Sequence, residues 1–195
     1  MGSTDYEFRT AWRVAGTPEE VAAVLGDATA MPRWWPSVYL SVEPVAGGPG
    51  PGPGMHRPVR LYTKGWLPYT LRWTLTVTEP VTARGFALTA AGDLNGTGRW
   101  TFEPDGPETV ITYDWRVSAA KPLLRRLSWL LKPAFAANHR WAMARGQESL
   151  ALELRRRRAA AGGTSGRTAA GAAAVPPPPP PTFAWLTRRA ARTDT

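Results

Sequence analysis

Residues Tyr6 to Val14 alternate in character, with Tyr6, Phe8, Thr10, Trp12 and Val14 on one side and Glu7, Arg9 and Arg13 on the other. A period of two puts these sets on opposite faces of an extended chain, which predicts a half-buried strand. Thr17-Pro-Glu-Glu then supplies a capping hydroxyl, a proline suited to the first helical position and early acids, predicting a short helix from Pro18 to about Gly26. A second helical turn is expected over Met31 to Trp35, stopped by Pro36. Six more strands are predicted at Val38–Val42, Met55–Thr63, Tyr69–Thr78, Arg84–Ala90, Gly96–Glu103 and Thr109–Ser118, divided by Gly, Pro, Asp and Asn. Leu71, Trp73, Leu75, Val77 and then Ile111, Tyr113, Trp115, Val117 alternate most clearly, so an antiparallel sheet with one wet and one covered face follows.

From Pro122 to about Arg158 the period becomes helical, with Pro133 marking a kink or break. At about 100° per residue, Phe135, His139, Ala142, Met143, Gly146, Leu150 and Leu154 share one stripe, and this helix is the expected cover of the sheet. Beyond Gly162 the chain turns to Ala, Gly, Ser and Thr and then to six prolines, Pro176 to Pro181, which cannot build a core. The division expected is therefore a domain over residues 1–160 and a disordered basic tail over 161–195, with the proline run as a stiff polyproline II spacer. Thr182 to Thr195 has the pattern of a short basic amphipathic helix, with Phe183, Leu186 and Ala190 together.

Charge changes this picture little. Of the net charge of +9, most lies from Arg155 onward, where eight arginines face one acid, Asp194. Weak contact of the tail with anionic membrane or nucleic acid is compatible with that, whereas the nearly neutral body does not read as a nucleic-acid domain. The chain has no cysteine, which excludes disulfides, thiolate catalysis, iron–sulfur clusters and Cys-type zinc sites. His56 and His139 are far apart, so no metal or other cofactor is expected. No run approaches the roughly 18–20 apolar residues of a bilayer span and the first residues lack a signal peptide's pattern, so a cytoplasmic location is expected. No obligate protein partner is evident.

The order of elements resembles that of the START-like or SRPBCC superfamily, and most of all its polyketide cyclase/dehydrase branch. The likeness rests on Ala11-Trp-Arg-Val-Ala-Gly-Thr-Pro-Glu-Glu-Val, Pro32-Arg-Trp-Trp-Pro-Ser-Val, Gly92-Asp-Leu-Asn-Gly-Thr-Gly-Arg-Trp-Thr-Phe, Thr109-Val-Ile-Thr-Tyr-Asp-Trp and the Asn138-His-Arg-Trp stretch of the last helix. The resemblance implies an α+β helix-grip (START/Bet v 1-like) fold. In it a curved seven-stranded antiparallel sheet wraps a long C-terminal helix, with two short helices after the first strand. It also implies an apolar cavity for a hydrophobic small molecule, lipid or polyketide, and it leaves binding and polyketide cyclisation or dehydration both open.

The candidate chemistry is sparse. Polar groups on the covered face are Tyr6, Thr10, Tyr113, His139 and the indole N–H groups of Trp12, Trp73, Trp100 and Trp115, while Glu7, Glu103 and Asp114 alternate outward. A two-carboxylate mechanism thus lacks its parts. Proton transfer falls to His139, with Tyr113 as a hydroxyl that reaches a carbonyl; the competing reading makes both structural groups with satisfied hydrogen bonds. Ten tryptophans fit either an aromatic-lined pocket or a filled core. The predicted ligand contacts are Trp34, Trp35, Trp73, Trp100, Tyr113, Trp115, Phe135, His139 and Met143. Arg60, Tyr62, Arg72 and Arg99 are weaker candidates for an anionic head group, since alternation sets Arg72 and Arg99 on the wet face. Gly47-Gly-Pro-Gly-Pro-Gly-Pro-Gly lacks the N–H donors of a phosphate loop and reads as a mobile loop that can serve as a gate.

Overall fold

A computed structural model describes residues 5–46, 56–119, 128–161 and 175–183. Strand β1 (Asp5–Ala15) leads into helix α1 (Pro18–Leu25), a 3-10 turn (Ala28–Ala30) and the single-turn helix α2 (Met31–Trp34). Strands β2 (Tyr39–Pro44), β3 (Val59–Lys64), β4 (Thr70–Thr82), β5 (Gly85–Gly92), β6 (Leu94–Asp105) and β7 (Glu108–Ala119) follow, and helix α3 (Ser128–Ala161) closes the order. The start of α1 is set locally: Thr17 Oγ1 accepts from the Glu20 amide at 3.3 Å, and the Glu20 carboxylate accepts from the Thr17 amide at 2.8 Å. Two donors that a helix terminus leaves bare are met in this way.

The seven strands form one antiparallel sheet in the order β1-β7-β6-β5-β4-β3-β2. From β2 to β7 each strand pairs with the next in the chain, and β1 joins beside β7 with Trp12 opposite Ile111 and Thr10 opposite Tyr113. One face is solvated, with Arg99 held by Glu79 and the Arg72 guanidinium 4.6 Å over the Tyr62 ring. The other face carries Trp12, Val14, Leu61, Trp73, Leu75, Phe86, Leu88, Trp100, Phe102 and Ile111, all buried. Side chains of α1 (Val21, Val24, Leu25), α2 (Met31, Trp34) and α3 (Met143, Leu150, Leu154) complete this core.

The alternating patterns predict these strands to within a few residues. Helix α3 runs through Pro133 as a continuous element. A proline this near the helix start removes one backbone donor without ending the helix. The helix expected before Ser128, the Gly/Pro-rich loop of residues 47–54 and most of the basic tail lie outside the described residues. Within the tail, Thr182 and Phe183 form a turn, and Phe183 has φ of +51°.

Near its C-terminal end, α3 buries a carboxylate. The Glu153 side chain is 1% exposed and takes both guanidinium nitrogens of Arg33, at 2.6 and 3.2 Å, with Arg156 and Arg157 at 2.9 Å each. Burial alone raises its pKa, but hydrogen bonds from Arg33, Arg157 and Arg156 outweigh it and hold the carboxyl below its ordinary range. Arg33 lies on α2, so this network fixes α2, with its Trp34 and the adjoining Trp35, against α3.

Candidate functional site

Between the sheet and the N-terminal half of α3 lie two neighbouring cavities, of 110 and 130 Å³. Leu71, Leu94, Trp115, Asn138 and His139 line both. Tyr6, Phe8, Tyr69 and Phe135 enclose the first; Trp35, Tyr39, Thr63, Lys64, Trp73, Tyr113 and Met143 belong to the second. Strand alternation accounts for the sheet side of this lining, because Tyr6 and Phe8, Leu71 and Trp73, and Tyr113 and Trp115 are each two residues apart. The helix side follows from the i, i+4 spacing of Phe135, His139 and Met143.

Two glycines make room for aromatic rings of the lining. A Cβ on Gly98 would sit 2.7 Å from the Tyr113 hydroxyl, and one on Gly146 would sit 2.3 Å from the Trp35 ring. Bare backbone at these positions therefore lets both aromatic side chains lie where they do. Tyr113 stacks on Trp100, with centroids 4.0 Å apart, and on Trp115 at 5.7 Å. Burial, with the neighbouring Tyr39 adding to it, drives the Tyr113 pKa far above the usual phenol value. It stays protonated at any physiological pH.

His139 stacks on Phe8, ring centroids 4.1 Å apart, with Nε2 3.4 Å from Thr10 Oγ1. Desolvation, aided by the adjacent Arg140, lowers its pKa to about 4. At neutral pH it is an uncharged imidazole that offers one donor and one acceptor. Asn138 beside it accepts the Leu67 amide at 3.2 Å, which ties the β3–β4 turn to the helix. The other polar groups are few: Trp73 Nε1–H donates to Thr63 Oγ1 at 3.1 Å. The buried indole N–H of Trp35, like those of Trp12 and Trp34, has no hydrogen-bond partner among the described residues.

Of the residues singled out from sequence, Trp35, Trp73, Tyr113, Trp115, Phe135, His139 and Met143 come together around the two cavities. Trp34 and Trp100 do not line them: Trp34 is fully buried beside Trp35, and Trp100 packs between Trp12 and Tyr113. Arg60, Arg72 and Arg99 are exposed and Tyr62 is half-buried, away from both. Sequence reasoning missed Lys64, Leu94, Gly98 and Gly146. Lys64 ends its strand out of phase with Val59, Leu61 and Thr63 and is nevertheless 4% exposed. A glycine leaves no hydrophobic signature, and its only signal was position, within the clear strand and helix stripes.

A curved antiparallel sheet gripping a long C-terminal helix, with hollows kept between them, defines the helix-grip class of ligand-cavity folds. Residues 6–155 match the model of the family described as polyketide cyclase / dehydrase and lipid transport, and the chain belongs to that family. Among solved structures, the Zhui aromatase/cyclase from Streptomyces sp. R1128 is similar at a TM-score of 0.61 and 21% identity, over 82% of this chain and 99% of that one. A protein from Thermus thermophilus is similar at 0.57 and 18% identity, covering 74% and 97%. A conserved protein from Geobacillus kaustophilus is similar at 0.56 and 16% identity, covering 76% and 95%. At these identities the likeness is one of fold. No curated protein matches the chain in sequence.

Proposed function

We propose that this protein binds a hydrophobic small molecule, of polyketide or lipid character, in the cavities between the sheet and α3. The observation that carries the reading is the makeup of their walls. Aromatic and aliphatic side chains form most of the surface, and His139, Tyr113 and Trp35 offer uncharged hydrogen-bonding groups within it. Such a wall favours removal of apolar surface from water, and a buried N–H without a partner is met when a ligand oxygen arrives. Cavities of 110 and 130 Å³ are each smaller than the roughly 300–1,000 Å³ usual for drug-sized ligands, so a ligand of several rings has to displace side chains or join the two spaces.

Family membership supports a second reading, cyclisation or dehydration of a bound polyketide, and one observation favours it: Tyr113 and His139 line the same 130 Å³ cavity. An imidazole whose burial lowers its pKa to about 4 is a weak base for a proton on carbon, which favours a role in holding ligand carbonyl groups. Binding is therefore the leading reading.

Native mass spectrometry of the full chain, with solvent extraction of whatever copurifies, tests it. A stoichiometric apolar adduct, lost from a variant in which Met143→Trp fills the cavity, is expected. Full retention by the filled variant would remove the cavity as the site. Conversion of a linear polyketide that disappears in His139→Phe and Tyr113→Phe while binding persists would establish the second reading.

A further inference from the structure

The rim of the larger cavity is formed in part by Lys64 and Gly65, at the end of β3. A distant piece of chain rests on that rim. Thr182 Oγ1 donates to the Gly65 carbonyl at 3.2 Å, the Lys64 ammonium donates to the Thr182 carbonyl, and Lys64 Nζ lies 5.3 Å from the centroid of the Phe183 ring. The segment is held at its other end too, where Arg156 Nη2 donates to the Pro176 carbonyl at 3.0 Å. That arginine is also bound to Glu153 at 2.9 Å, so this anchor belongs to the buried ion network of α3.

Along the segment every third residue, Val175, Pro178 and Pro181, is half-buried, as are Pro179 and Thr182, while Pro176, Pro177, Pro180 and Phe183 are exposed. A three-residue period of this kind is that of a polyproline II helix with one edge laid on a surface. Proline suits the task, since its fixed φ makes the free segment nearly as extended as the docked one and little entropy is lost on docking. From Pro176 to Thr182 such a helix spans about 19 Å at 3.1 Å per residue. Residues 162–174 between α3 and the segment, fully extended, reach roughly 45 Å, so a covalently attached strap can make both contacts.

We propose that Val175–Phe183 is an intramolecular latch: docked between Arg156 and Lys64, it holds the β3–β4 rim against Asn138 and restrains passage of ligand into the cavity. The inference rests on the reading of the cavity as a ligand site. Lys64 is 4% exposed with its ammonium bonded to the Thr182 carbonyl and lying over the Phe183 ring, and desolvation lowers its pKa. Release would break two hydrogen bonds at the rim and expose Lys64 to solvent.

The test uses the full-length chain and its Pro178→Gly/Pro181→Gly variant, in which the stiff edge is lost and the core is untouched. Lys64 reactivity toward an amine-specific reagent, read by peptide mass spectrometry, reports the latch without any ligand. The rate of Nile red association reports the cavity. Two rim hydrogen bonds of ordinary net strength predict a rise of about thirty-fold in both rates for the variant, reversed by adding a synthetic Val175–Phe183 peptide. Equal Lys64 reactivity in the two proteins would overturn docking of the latch. A more reactive Lys64 with unchanged Nile red kinetics would overturn its control of access. If neither protein binds Nile red while Lys64 becomes reactive, the cavity reading fails and the segment is reduced to a cover over one lysine.

Discussion

Around His139, α3 faces open space and neutral polar groups; around Glu153, about four turns later, it carries a carboxylate gripped by three guanidinium groups, flanked by Leu150 and Leu154 with almost no exposure. One helix thus serves as wall for a ligand space at one end and as structural anchor at the other. Cavities forfeit packing contacts and cost stability. The tightly bound end supplies the rigidity that lets the other end stay hollow, and Gly146, lying between them against Trp35, marks the boundary.

The largest effect is expected where the anchor is cut. Glu153→Ala leaves three arginines without their shared counter-ion and a void beneath them, a loss of about 3 kcal/mol in denaturant unfolding at neutral pH. A change below half of that would mean the two halves differ less than the geometry implies. Acid comes next. Because the folded-state pKa of His139 is depressed to about 4, below the unfolded value near 6.5, the unfolded chain binds more protons between these limits. Stability from the neutral imidazole is complete above about pH 6.5 and is lost as pH falls toward 4, by roughly 3 kcal/mol. His139→Phe keeps the stack on Phe8 and should flatten this part of the stability–pH curve, while an unchanged slope would assign it to other groups. The smallest effect belongs to Gly146→Ala. An alanine in a helix is worth about 1 kcal/mol over glycine, yet the new methyl collides with the Trp35 ring, so a net loss of about 1 kcal/mol is expected by thermal melting. A net gain would show that Trp35 has room to move.

Most of the architecture was legible because a half-buried sheet writes its pattern locally. The Leu71–Val77 and Ile111–Val117 alternations, the Thr17-Pro cap and the stripe from Phe135 to Leu154 each needed only near neighbours to be read. Burial of Glu153 was not legible, since the group that makes it tolerable, Arg33, comes from a segment 120 residues away. Trp12 and Trp100 fill the core while Trp73 and Trp115 border space, and alternation cannot separate these roles because both demand the covered face of the sheet. Part of the lining depends on absent side chains, since Gly98 and Gly146 make room for the Tyr113, Trp115 and Trp35 rings. Lys64 escaped notice for a related reason: its ammonium is met by Thr182 and Phe183, beyond any periodicity that strand β3 could carry.

The pairing of β1 with β7 sets an order of assembly. The strand synthesised first has its sheet neighbour in residues 108–119, so roughly a hundred residues must follow it before it can pair, about 5–20 s at ordinary ribosomal speeds. Until then its apolar face of Tyr6, Phe8 and Trp12 waits without a sheet partner, and the meander from β2 to β6 is the portion free to form. The long helix emerges later still. A nascent chain of this protein therefore completes its sheet before the binding space has a second wall, and any ligand retained during biosynthesis must arrive at the last stage or after release.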